Sequence, residues 1–164
     1  MRRAAIALLA CLLAAPLAPA APPSLLVADV ELVDLAPVDQ RYDQAEDTAR
    51  AAMLSRRLRA ALAASGDYRV LERGQADRQP PYRYTACRAC IIDWTRRCGA
   101  DHVLVTWVQK ESRLILSVNM VLIDIAHPQA AKGGSVDLRG DTDATWLAGA
   151  SQMLDRTMGV AMTP

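Results

Sequence analysis

Aromatic side chains are scarce in this sequence, which has no phenylalanine and only 4% aromatic residues. A hydrophobic core must therefore be built from Leu, Val, Ile, Ala and Met. An excess of one charge is also lacking, because 19 Lys and Arg stand against 18 Asp and Glu, a formal net charge of +1. This balance removes the electrostatic basis for binding nucleic acid or an anionic membrane.

Catalytic signatures are missing as well. The two histidines, His102 and His127, have no neighbouring Ser, Cys or carboxylate in the pattern of a nucleophile and its base. Gly133-Gly134 is a glycine pair outside any phosphate-loop context. We therefore predict no catalytic residue, no cofactor and no enzymatic activity.

The 164 residues are 52% hydrophobic, which is enough for one globular domain and excludes a disordered chain. The first 20 residues have the features of an export signal: Arg2 and Arg3, then an uncharged stretch over 4–18, then a small-residue cleavage site before Ala21. We predict a signal peptide over 1–20, a periplasmic domain over 21–164 and no transmembrane span. Residues 8–11 (LLAC) resemble a lipobox, so a lipid anchor at Cys11 stays open as the alternative.

Hydrophobic periodicity predicts one mixed α/β domain with about five strands and three helices. Its order β-α-β-α-β-β-β-α implies a sheet with a parallel part and an antiparallel meander, covered by the helices. The 102–109 strand is apolar on both faces and is expected to lie centrally, with a polar turn at Lys110-Glu111. Strands are predicted at 24–35, 68–72, 102–109, 113–125 and 132–139, and helices from Asp47 to about Gly66, from about Thr85 to Arg97, and from Asp141 or Thr142 to Met158.

The stretch from Cys90 to Leu147 carries a motif order of its own. A helix leads into Gly99-Ala100-Asp101, a buried strand ends in WVQK at 107–110, and an alternating hairpin runs to Val136-Asp137. This order resembles the TolB amino-terminal domain and the curli-secretion-lipoprotein group. It is similar, more closely, to a family of secreted bacterial proteins of unknown function that carries Cys-x-x-Cys before the Gly-Ala-Asp turn. The resemblance implies a TolB amino-terminal-domain-like fold, no enzymatic activity and, by analogy of fold, protein–protein contact in the periplasm.

Cys87 and Cys90 are three residues apart on the second predicted helix, where β-carbons lie about 5–6 Å apart. In an oxidising compartment we expect a structural disulfide at the first turn of this helix. Reduced buried cysteines, or a redox-active dithiol whose pKa the helix N-terminus lowers, are the alternatives. Cys98 lies on the same apolar face and is expected to stand outside the bond, largely buried.

The four side chains Cys87, Cys90, Cys98 and His102 also have spacing similar to a Cys₃His zinc site. On one helix, however, Cys87 and Cys98 would be separated by about 16 Å along the axis. One ion cannot contact both, so we predict no metal site.

The segment RQPPYRY at 78–84 combines two arginines and two tyrosines with a stiff proline pair. Tyr and Arg are enriched at protein interfaces. We interpret Arg78, Tyr82, Arg83 and Tyr84 as a partner-contact loop, with a plain crossover loop as the alternative. The leading functional hypothesis is a non-enzymatic periplasmic interaction or accessory module with a periplasmic protein partner. The alternative is a periplasmic thiol-redox protein that uses Cys87 and Cys90.

Overall fold

The computed structural model describes residues 21–36, 44–71, 83–112 and 114–162. Its described residues form six strands in one mixed sheet, with three helices. The predicted mixed α/β class and the predicted order of elements are confirmed, with the first strand divided in two. The elements are β1 Ser24–Val27, β2 Glu31–Asp34, α1 Gln44–Ser65, β3 Arg69–Val70, α2 Arg88–Arg97, β4 His102–Lys110, β5 Ile115–Asp124, β6 Lys132–Arg139 and α3 Asp143–Met158.

Strand β4 lies in the middle of the sheet, whose order is β3-β1-β4-β5-β6 with β2 also paired to β4. Strands β1 and β2 run parallel to β4, and β5 runs antiparallel to it over its whole length. The prediction that 102–109 is central, between the first strand and the following hairpin strand, is therefore confirmed. Both faces of β4 are apolar because helices pack on both sides of the sheet.

A bulge explains why the first strand is divided. Val27 pairs with Leu104 whereas Glu31 pairs with Trp107, so four steps along the first strand match three along β4. One residue is therefore extra, which reverses the faces that later side chains point to. The backbone N–H of Val30 donates to Ser55 Oγ at 2.9 Å. As a result the Glu31 side chain points to the α2 side of the sheet. If the first strand were regular, the Glu31 side chain would point to the opposite side.

The two faces of the sheet bury different amounts of apolar surface. Helices α1 and α3 cover one face and share a core of 20 buried residues, with Leu54, Leu58 and Trp146 inaccessible to solvent. Helix α2 packs on the opposite face over a cluster of eight buried residues, which includes Ile91 and Trp94. The core has no Phe, as the composition requires.

The starts of two of the three helices differ from the predictions, whereas the C-terminal ends agree. Helix α3 begins after Thr142, whose hydroxyl accepts the N–H of Thr145 in a capping box, as predicted. Helix α2 begins at Arg88, with Cys87 as its N-cap, so Thr85 lies in the preceding turn. Helix α1 begins at Gln44, three residues before the predicted start at Asp47, whose side chain is buried inside the fold.

The reason for burying Asp47 is a ring of alternating charges. Lys110 Nζ lies 2.6 Å from Asp47 Oδ2 and 2.5 Å from Asp141 Oδ2. Arg50 NH1 lies 3.1 Å from Asp47 Oδ1 and 3.3 Å from Asp141 Oδ1. Trp146 Nε1 donates to Asp141 Oδ1 at 2.9 Å. This charge ring (Asp47, Arg50, Lys110 and Asp141) joins the start of α1, the end of β4 and the residues before α3. The prediction of a polar turn at Lys110 is wrong for this residue, which is 2% exposed.

The carboxylates of the charge ring raise the pKa values of both of its cations. Burial by itself lowers the pKa of Lys110, but hydrogen bonds to Asp141 and Asp47 offset that effect and leave the pKa raised. The pKa of Arg50 is raised in the same way, since burial is outweighed by Asp143 and the surrounding carboxylates. Both cations therefore stay charged, and neither is a candidate proton donor or acceptor at neutral pH.

Candidate functional site

Four of the residues singled out in the sequence come together in residues 83–90, a turn that continues into the first three residues of α2 and that we call the 83–90 turn. The backbone N–H groups of Ala86 and Cys87 donate to the carbonyl oxygen of Arg83 at 3.0 and 2.9 Å. Cys87 and Cys90 form a disulfide with a Cα–Cα distance of 5.3 Å. Arg83 and Tyr84, predicted separately as partner contacts, thus share a single rigid unit with the cysteines. Arg78 and Tyr82 lie outside the described residues.

Glu31 attaches this turn to the sheet. Its carboxylate accepts the backbone N–H of Tyr84 and the hydroxyl of Thr85, the latter at 3.1 Å. The bulge between β1 and β2 is what directs Glu31 to this side of the sheet. Hydrogen bonds to a carboxylate are stronger than those between neutral groups, so the turn is held firmly.

The aromatic side chain of the turn is a packing group. The Tyr84 ring lies 5.6 Å from the Trp107 ring, at an interplanar angle of 35°, and both residues are half-buried. Arg83 is exposed, and its guanidinium donates to the Leu32 carbonyl oxygen at 3.0 Å. Of the two, Arg83 offers the accessible charged group, whereas Tyr84 packs against Trp107.

The disulfide sits at the N-terminus of α2. Cys87 is the N-cap, its Sγ accepts the N–H of Cys90 at 3.2 Å, and both cysteines are half-buried. Cys98 lies at the other end of α2 as the C-cap, where it packs against the smaller core cluster. It is half-buried, so the prediction of a largely buried Cys98 is wrong in degree; the helix ends there and leaves the side chain at its rim.

The two histidines lie away from this turn. His102 at the start of β4 has its ring 5.8 Å from that of Tyr68, edge to face. His127 Nδ1 lies 3.1 Å from Asp124 Oδ2, and this hydrogen bond is the main reason why the pKa of Asp124 is lowered. Within the described ranges, no three His, Cys, Asp or Glu side chains are grouped so that they could hold a metal ion.

Sequence reasoning missed the two residues that hold the turn in place, Glu31 and Trp107. Trp107 was assigned only to a strand that is apolar on both faces, and Glu31 to an alternating strand. The side of the sheet to which Glu31 points depends on the bulge, and no local sequence pattern predicts that bulge. The signal available in the sequence was a lone acidic residue among apolar strand positions at 30–33.

Fold and site together define an α/β domain with one sheet, in which a disulfide-closed turn is held against one face by a strand carboxylate. The chain belongs to the family described as "Protein of unknown function (DUF2380)", whose model matches residues 23–158. A search of curated protein sequences gave no match. Within the part of the chain that the structure describes, no helix is both long and apolar enough to cross a membrane.

Solved structures share the fold at low sequence identity. The NMR structure of LpoB from E. coli matches at 20% identity and a TM-score of 0.50, covering 74% of this chain and 58% of that one. TolB from Acinetobacter baumannii matches at 14% identity and a TM-score of 0.51, covering 88% of this chain and 30% of TolB. The PelC dodecamer from Paraburkholderia phytofirmans matches at 15% identity and a TM-score of 0.48, covering 84% and 90%. The TolB-like fold expected from the motif order is confirmed.

Proposed function

We propose that this chain is a non-enzymatic periplasmic interaction or accessory module that binds a protein partner through the 83–90 turn. The observation that carries the proposal is the way the turn is fixed: Glu31 holds its backbone, Trp107 supports Tyr84, and the disulfide closes its last residues. A surface that is ordered before binding loses less conformational entropy on association. Arg83 is the exposed group on this surface, and arginine is a frequent anchor at interfaces.

Two further features support the cellular location. The charged and apolar pattern of residues 1–20 is that of an export signal, and a persistent disulfide requires an oxidising compartment. The proposed mature chain is 21–164. Intact-mass measurement of the exported protein tests this: a chain that begins at or near Ala21 supports it, whereas a chain that begins at Cys11 and carries acyl mass means a membrane-anchored lipoprotein.

A site-specific photo-crosslink tests the binding surface. A photoreactive amino acid replaces Arg83 in the full chain, which is expressed and irradiated in its native host. The matched control places the same group at Arg57, an exposed arginine on α1, the helix on the opposite face of the sheet. We expect a discrete higher-mass adduct from position 83 that is absent from position 57.

The same experiment can overturn the proposal. Equal adducts at both positions, or none at position 83, mean that the turn is not the contact surface. Glu31→Gln serves as a second variant: it keeps the volume but weakens the attachment of the turn, so the adduct yield from position 83 should fall while circular dichroism stays unchanged.

Thiol-redox activity is the second candidate, because Cys87 and Cys90 lie at a helix N-terminus, where a thiolate is stabilised. Residues 84–86, directly before the pair, form a turn, whereas a strand precedes the pair in thioredoxin-type sites. A reduction potential well below about −270 mV indicates a structural bond. A higher potential, together with insulin-reducing activity that Cys87→Ser/Cys90→Ser abolishes, favours the redox candidate.

A further inference from the structure

The two edges of the sheet are protected to different degrees. Strand β3 at one edge has two residues, whereas β6 at the other edge has eight. In the described part of the chain, β6 pairs with β5 alone, so its outer side has no strand neighbour. Exposed strand edges are templates for pairing with another chain, and proteins commonly block them by shortness, proline or bulges. Charged side chains, above all lysine, also block strand edges. Residues 132–139 contain no proline, and their charged side chains are Lys132, Asp137 and Arg139.

Strand β6 is also held rigidly by the helix beneath it. A Cβ added to Gly149 of α3 would lie 2.7 Å from the Leu138 side chain, so helix and strand are in close contact there. A Cβ added to Gly134 would lie 3.3 Å from Met153 of α3. The edge is therefore ordered before any second strand arrives, which lowers the entropy cost of pairing.

The charges near the end of β6 form a self-complementary pair. Asp137 and Arg139 are both exposed and lie on the same face, because side chains two residues apart in a strand point the same way. Leu138 between them is buried on the α3 side. Neither Asp137 nor Arg139 forms an ion pair with another described residue of the chain.

We propose that two copies of this chain associate through β6, antiparallel, about a two-fold axis at Leu138. An axis normal to the sheet keeps α3 of both copies on the same side. With Leu138 opposite Leu138 of the second copy, Asp137 lies opposite Arg139 and Arg139 opposite Asp137. This register pairs residues 137–139 of the two copies, because β6 ends at Arg139 and Gly140 leaves the strand with a φ of 91°. Opposite charges directly across two strands stabilise their pairing. A centre at Asp137 would oppose the two carboxylates, and centres at Ser135 or Val136 would leave both charges without a counter-charge.

A second observation points to the same stretch of β6. Leu114 and Ile115 are 69% and 45% exposed, which makes them two of three exposed large hydrophobic residues in the described ranges. Ile115 pairs with Arg139 in the β5–β6 ladder, and Leu114 accepts the N–H of Gly140. An Arg139 side chain ordered by the second copy would cover the Ile115 side chain, which lies beside it on the same face, with its methylene groups. The dimer is isologous, as two-fold pairing of one surface requires.

Sedimentation velocity on the exported chain tests the proposal, and charge exchange makes the test specific. We expect the parent to sediment as a dimer. Asp137→Arg alone, or Arg139→Asp alone, opposes like charges twice, so each should weaken dimerisation by about tenfold or more. A mixture of the two single variants should form a heterodimer, because every pair is then opposite in charge. The double variant Asp137→Arg/Arg139→Asp should likewise regain the dimer.

The matched control is Asp93→Arg, which makes the same charge change at an exposed residue of α2 far from β6. It should leave dimerisation unchanged. A monomeric parent overturns the proposal, as does a mixture of the single variants that stays as monomeric as its components. Because the mixture can associate only if both variants are folded, heterodimer formation also excludes misfolding as the cause of the single-variant losses.

Discussion

The two faces of the sheet are stabilised by different means. The face under α1 and α3 has a continuous apolar core of 20 buried residues and a charge ring at its edge. The face under α2 has eight buried residues, a ten-residue helix and the disulfide. The covalent bond thus lies on the side with less apolar burial, and the larger layer relies on packing and buried ion pairs. On the α2 side, Arg83 of the 83–90 turn is exposed.

The charge ring should give one of the two largest effects on stability. Lys110→Met keeps the side-chain volume but removes the ammonium group, which leaves two buried carboxylates with Arg50 as their remaining cation in the ring. We expect the free energy of unfolding to fall by about 3–5 kcal/mol, measured by urea denaturation. Arg96→Ala, which removes an exposed ion pair with Asp93, is the control and should cost less than about 1 kcal/mol. Similar losses from both variants would mean that the ring contributes no more than a surface pair.

Truncation of one aliphatic residue in each layer compares the two faces directly. Leu58 on α1 and Ile91 on α2 are both inaccessible to solvent. We expect Leu58→Ala to cost about 3–5 kcal/mol and Ile91→Ala about 2 kcal/mol, because a short helix can move into the cavity more easily than the long one. Urea denaturation of both variants gives the two values. Equal losses would contradict the distinction between the layers.

Loss of the disulfide should have a smaller effect. The loop that Cys87 and Cys90 close is very short, and stabilisation by chain entropy grows with loop length. Cys87→Ala/Cys90→Ala should therefore lower the free energy of unfolding by about 1–2 kcal/mol. Thiol labelling of residues 21–164 after denaturation provides the chemical check: one reactive thiol supports the bond, and three would show that the pair is reduced.

The smallest expected effect depends on pH. The Ser24 hydroxyl and backbone N–H both donate to Asp101 Oδ2, at 2.6 and 2.7 Å, and lower the pKa of Asp101 below its usual value of 3.8. A lowered pKa in the folded state stabilises the fold above the unfolded-state pKa, and this contribution is lost as the pH falls through the folded-state pKa. Below about pH 4 the parent should therefore lose stability more steeply than Ser24→Ala, measured by thermal unfolding across the acid range. Parallel curves would show that the bond has no energetic role.

Residues with local signals were predicted well. The alternation over 113–125 predicts β5, which begins two residues later at Ile115, and the Thr142 cap predicts the start of α3. The burial of Lys110 and Asp47 was not predicted, because a charged residue near a turn or a helix start is usually solvated. The two residues pair with each other across 63 positions of sequence, which no local pattern indicates. The disulfide depends on local spacing and was expected. The attachment of the turn through Glu31 depends on a bulge between two strands, so the sequence pattern alone does not reveal it.

The charge ring also has a consequence for the order in which the chain can fold. Asp141 is 91 residues beyond Arg50, and it comes shortly before the last helix. Until that carboxylate is available, Arg50 still has Glu46 and Asp47 as partners, whereas Lys110 has only one of its two carboxylate partners, Asp47. Burying an ammonium group that is incompletely paired costs free energy. Contacts between distant parts of a chain form slowly because they require a large loop to close. The final burial of Lys110 beside α1 therefore requires the C-terminal residues, which supply its second carboxylate.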